Sequence, residues 1–94
     1  MSFYVSIVAS RRNGTLCVGS TDDLAHRIWE HKEKLRRGFT AKYGVSLLVW
    51  YEVYETREGA FLRERRIKKW NRLWKIELIE RTNPGWRDLL DELI

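Results

Sequence analysis

The stretch GTLCVGSTDDLAHRIWEHKEK, residues 14–34, holds the end of a turn, a strand and a helix in close succession, each recognisable from its chemistry. TLCVGS is a short strand-like run. Thr21 with Asp22 and Asp23 supplies a helix cap and negative charge for the first turn, which predicts a helix over about 22–34. Leu24, Ile28 and Leu35 give that helix an apolar stripe. Arg27 and His31, four residues apart, share a face beside or opposite it. A guanidinium next to a group that titrates near neutrality is suited to gripping a phosphate and moving a proton. The same spacing also describes two solvated neighbours, the commoner case for such a pair taken alone.

Upstream, SFYVSIVAS is rich in β-branched and aromatic residues and reads as a strand. Asn13-Gly14 between the two strands predicts a tight hairpin turn, since both positions tolerate positive φ. Downstream, RRGFTAKYG reads as a loop with one helical turn at most. VSLLVWYEVYE is the strongest strand of the chain, and its near-continuous apolar run predicts a central strand covered on both faces. Thr56 caps a second helix from about 57 to 70 or 71, a third spans about 73–81, and Asn83-Pro84-Gly85 stops it before a short closing helix in WRDLLDELI. Strand, strand, helix, strand, helix, helix is the order of an α+β domain with helices packed on a small sheet.

The 94 residues make one domain, residues 1–94, with no repeat or linker, and an apolar fraction of 44% supports a folded core. No window approaches the roughly 20 apolar residues that span a bilayer, and no signal-peptide series opens the chain, so no membrane association and a cytoplasmic location are expected. The single cysteine has no disulfide partner within the chain and no zinc-like spacing to other ligands. The net charge of +5 is unevenly spread: residues 27–42 carry six Lys or Arg against two Glu, and residues 57–75 carry eight against two. Two basic segments point to a polyanion such as nucleic acid, or to the solvated faces of two helices. Lys32 and Lys42 in the first, and Arg63, Arg66, Lys68 and Lys69 in the second, are the candidate phosphate contacts. Glu64 stands alone among those cations, either as a salt-bridge partner or as a hard-oxygen ligand for Mg²⁺. Trp50, Trp70, Trp74 and Trp86 are each expected in the core, although an exposed one would stack on an unpaired base.

The combination YVSIVAS, NGTLCVGSTDDLAHRIWEH, FTAKYGVSLLVWYE, AFLRERRIKKW and NPGWRDL resembles the small single-domain GIY-YIG proteins of bacteria, related to the nuclease domain of excision-repair and homing endonucleases. The resemblance implies a three-stranded antiparallel sheet flanked by helices and phosphodiester hydrolysis of single- or double-stranded DNA with one divalent ion, Mg²⁺ or Mn²⁺. It implies that Arg27 and His31 are catalytic, that Glu64 holds the metal, that Gly19 ends the second half-motif, and that Asn83 lies near a supporting asparagine. It also places the two family tyrosines, which position or activate the attacking water, at Ser6 and Cys17. Neither carries a phenol. Tyr4, two residues before Ser6 on the same sheet face, is one pleat away. His31 acting through a water is the best substitute base, with Lys42 and Tyr43 as further candidates. The implied activity is thus a weakened or altered endonuclease; the alternative is an inactive nucleic-acid-binding module on the same scaffold, or, with less support, a protein-interaction domain.

Overall fold

A computed structural model describes residues 2–36 and 44–93, the side chains of Leu35 and Arg36 excepted. The described chain runs β1 (Phe3–Ala9), β2 (Leu16–Thr21), α1 (Leu24–Arg36), β3 (Leu47–Tyr54), α2 (Arg57–Lys69), α3 (Arg72–Thr82) and a final 3-10 turn, Leu89–Glu92. The three strands form an antiparallel sheet in the order β2-β1-β3, so the α+β class with a helix-flanked sheet stands.

Strand alternation sorts the core into two layers. Val5, Ile7 and Ala9 of β1 and Val18 of β2 face α2 and α3, joining Ala60, Ile67, Leu78, Ile79 and Trp86. Val8 turns to the other face, where Leu24 and Ile28 of α1, Leu48 and Leu89 complete a second cluster. Leu24 and Ile28 are therefore the stripe expected of α1. Trp50 and Trp86 are core residues, each 4% exposed, and Trp70 packs against the core, but Trp74 is 53% exposed, contrary to expectation.

The apolar run 45–55 forms an edge strand, not the central one. Its burial comes from layers above and below: α2 and α3 on one face, α1 and the 3-10 turn on the other. An apolar run reports coverage of both faces and says nothing about lateral neighbours. A register shift pairs Ile7 with Trp50 and Val8 with Leu48, so Val49 is the extra residue of a bulge.

Three local expectations are adjusted. The hairpin is longer than a two-residue turn: Ser10 N–H donates to Thr15 O (3.0 Å), Gly14 N–H to Arg11 O (2.9 Å), and only Asn13 takes positive φ, at 58°. A Cβ at Gly14 would collide with the Ser10 hydroxyl, which itself accepts from Thr15 N–H. Arg72 at the start of α3 clasps this hairpin, its Nη2 donating to Asn13 O and Gly14 O at 2.6 Å each. The cap of α1 is Asp23, whose carboxylate accepts from His26 N–H (3.2 Å), while Thr21 Oγ1 accepts from Asp23 N–H. The closing helix shrinks to one 3-10 turn, because Trp86 sits at φ 55°, outside helical space, and Asp88 caps Leu90 N–H.

Candidate active site

Ser6, Cys17, Gly19, Arg27 and His31 line one small cavity of about 30 Å³, room for about one or two water molecules. The register explains how. Ser6 lies opposite Gly19 and Val8 opposite Cys17, so these side chains share the α1 face of the sheet. Arg27 and His31 project from α1 over that face, one turn apart and flanking the buried Ile28. A Cβ at Gly19 would meet no atom within 4 Å, so the glycine keeps the space above Ser6 open.

Ser6 is only 4% exposed, and among the described residues its hydroxyl has no hydrogen-bond partner. Buried hydroxyls are nearly always satisfied. Its situation at a water-sized cavity marks a place for a solvent or ligand oxygen. Burial holds the pKa of His31 below its ordinary 6.5, reinforced by the charges of Arg27 and Lys34 and opposed by Glu30. The imidazole is accordingly neutral at neutral pH and able to accept a proton. Arg27 is exposed and has no ion pair among the described residues, leaving its guanidinium available to an anion.

Glu64 approaches the same edge strand from the opposite face of the sheet. Ser20 is one residue out of phase with Cys17 and Gly19, so it points at α2, and its hydroxyl donates to Glu64 Oε1 at 2.5 Å. Lys68, one turn on, contacts Oε2 at 2.7 Å. Burial alone would raise the carboxyl pKa, but the hydrogen bonds from Lys68 and Ser20, with the charges of Lys68 and Arg27, hold it below 4.5. Glu64 does not line the cavity that holds Arg27, and the arginine's charge reaches it only through space.

The donor set suits a single hard cation of the Mg²⁺ type, which is held by one or two carboxylates and completes its shell with water and substrate phosphate. No cluster of three His, Cys, Asp or Glu exists among the described residues. Glu64 is ionised, and its neighbour Ser20 offers a hydroxyl. Lys68 reaches the carboxylate from solvent, its side chain 53% exposed against 13% for Glu64, so a dication would have to displace a half-exposed ammonium.

The remaining expected residues divide. Tyr4 packs beside the second core cluster on the Ser6 face, but it does not line the cavity. Asn83 is 2% exposed and spends its amide on the backbone: Nδ2 donates to Val49 O (3.0 Å) and Arg87 O (2.9 Å), and Oδ1 accepts from Arg87 N–H (3.1 Å). None of these partners lines the cavity. Lys32 ties α1 to Asp88 at 2.6 Å. Arg63 is held by Glu52 at 3.1 Å and lies over the rings of Trp50 and Trp70. Arg66 and Lys69 are exposed at the end of α2. Lys42 and Tyr43 lie outside the described residues.

Two neighbours of the site escaped the sequence reading. Ser20 was detectable in principle, because strand alternation puts it on the face away from Cys17. Tyr51 was not: it becomes the neighbour of Ser6 only through the β1–β3 register. Its hydroxyl donates to Glu92 at 3.1 Å, and burial together with that bond raises its pKa.

An edge strand with an open glycine, an arginine and a neutral histidine on one side and an ionised glutamate on the other is an arrangement for handling an anion. Residues 2–77 match the model of the GIY-YIG catalytic domain. The chain belongs to the GIY-YIG family, a nuclease-type hydrolase family. The architecture is similar to the solution NMR structure of a UPF0213 protein from Bacillus halodurans, with a TM-score of 0.57 and 26% identity over 94% of this chain and 93% of that one. None of the curated proteins matches the chain. The matched domain ends within α3, before Asn83. No described helix is long and apolar enough to cross a membrane.

Proposed function

We propose that the protein is a divalent-metal-dependent DNA endonuclease whose chemical step is weakened by serine and cysteine at the two motif-tyrosine positions. The observation that carries this reading is the shared cavity: an unpartnered buried hydroxyl, a neutral imidazole and an unpaired guanidinium converge on a space the size of water. Arg27 would donate to the phosphoryl oxygens and stabilise the charge that gathers there. A ring nitrogen of His31 would accept the proton of the attacking water. Ser6 would orient that water, its hydroxyl short where a phenol would be long. Glu64, with Ser20 beside it, would hold the ion, which when bound supplies Lewis-acid polarisation of the phosphate. Arg66 and Lys69 would contribute affinity for the phosphate backbone without reading bases.

Incubation of the pure protein with single-stranded and duplex DNA and Mg²⁺ or Mn²⁺ is expected to give slow cleavage that Glu64→Ala abolishes. Absence of cleavage on both substrates, or cleavage indifferent to Glu64→Ala, would overturn the reading. The Lys68–Glu64 pair favours a second reading, a nucleic-acid-binding module in which an ammonium takes the place of the metal. That module would show salt-sensitive DNA binding unchanged by chelators.

A further inference from the structure

We propose that the groove at the junction of α2 and α3 docks an unpaired nucleobase with its phosphate, a second contact apart from the cavity at β2. The proposal rests on nucleic acid being the substrate. The groove encloses about 340 Å³, within the usual range for small-ligand sites, and is lined by Arg63, Trp70, Trp74, Glu77, Leu78 and Arg81.

Its construction is specific. Asn71 caps α3 by accepting from Trp74 N–H at 2.9 Å, which puts Trp74 in the first turn of the helix. Trp74, Glu77 and Arg81 then follow at helical spacing along one face. Trp70, the C-cap of α2, meets Trp74 edge-on, with centroids 6.1 Å apart and planes at 83°. Arg63, anchored by Glu52, lies 5.3 Å over the Trp70 ring and holds that indole in place. Trp74 has no such cover and remains 53% exposed. Among the described residues, Glu77 and Arg81 make no ion pair.

Each wall suits one part of a nucleotide. Indole faces stack bases of any sequence, and an unpaired arginine beside them takes the phosphate. Glu77 accepts from exocyclic amino groups, as carboxylates accept from cytosine N4; thymine has no amino group, and its one donor, the ring N3–H, lies between two carbonyl oxygens that repel a carboxylate. Charge favours a nucleic acid over a protein partner: from Arg63 to Lys75 the chain carries seven Lys or Arg against Glu64 alone.

The test is fluorescence anisotropy of the full chain with fluorescein-labelled 12-mers of deoxycytidine and of thymidine, and with a blunt hairpin duplex. Trp74→Ala is expected to weaken the deoxycytidine 12-mer about 5- to 50-fold, to leave the duplex nearly unchanged, and to be rescued by Trp74→Phe. Glu77→Gln is expected to narrow the preference for deoxycytidine over thymidine. Should Trp74→Ala fail to fold by circular dichroism, Arg81→Gln carries the same comparison, with a loss confined to the single strands. Equal losses on single strand and duplex, or no loss on either, would overturn the groove while leaving DNA binding intact. A concentration-dependent dimer in sedimentation that Trp74→Phe disperses would also overturn it, by assigning the groove to a second copy. If the unaltered protein binds none of the three probes, the groove and the nuclease reading fall together.

Discussion

Ser6 and Asn83 are the two buried polar residues among the described ones, and they are treated in opposite ways. Asn83 is saturated: three hydrogen bonds to backbone close the space between α3, the bulge at Val49 and the segment leading to the 3-10 turn. Ser6, on the other side of the same sheet, is buried with its hydroxyl unmatched and facing a cavity. A buried polar group with all its partners holds structure together, and one without them is free for chemistry. The contrast separates an asparagine that serves the scaffold from a serine to which the proposed function gives a part in the chemistry.

The largest test of that contrast rebuilds the open side. Ser6→Tyr with Cys17→Tyr should raise the cleavage rate about 10²- to 10⁴-fold, the usual contribution of a positioned acid or base. An unchanged rate would place the defect elsewhere, with Lys68 on Glu64 the first suspect. Next in size, His31→Gln should lower cleavage about 10²-fold and remove the acid limb of its pH profile. In the unaltered protein that limb should rise with pH and have its midpoint below 6.5, because burial and Arg27 depress the imidazole pKa. The same depression makes stability rise with pH: between the folded value and 6.5 the unfolded chain binds the proton and the folded chain does not. Above 6.5 the contribution is complete.

On the closed side, Asn83→Ala leaves three backbone groups unmatched and should destabilise by about 3 kcal/mol, near 1 kcal/mol for each bond. Urea denaturation measures it, and a loss below about 1 kcal/mol would break the comparison. The smallest effect belongs to Ser6→Ala. With no partner to lose, it should shift stability by less than about 1 kcal/mol in either direction, while lowering whatever cleavage the protein shows.

Much of this was legible in the residues. Thr56 marked the start of α2, Leu24 and Ile28 marked the buried face of α1, and Arg27 with His31 stood out as a pair before any partner was visible. What stayed hidden was lateral. The 45–55 run showed that two faces are covered, but burial does not encode strand order, so an edge strand was read as a central one. Trp74 illustrates the same limit in a helix: its size argues for the core, yet in the fold it stands 53% exposed beside Trp70. Asn83 was read as part of a stop signal and, through the resemblance, as lying near a supporting asparagine, while its bond to Val49 depends on a bulge that no local pattern announces.

The clasp of Arg72 on the hairpin has a kinetic side. One guanidinium joins carbonyls 58 and 59 positions away in sequence. Contacts between such distant residues are rewarded only once the intervening loop is closed, a cost that local turns do not meet. The tip of the hairpin leading into the edge strand of the site is therefore secured by a helix made well after it. A nascent chain that ends before α3 would lack the clasp, and the edge strand carrying Cys17 and Gly19 would gain its final anchor only when that helix arrives.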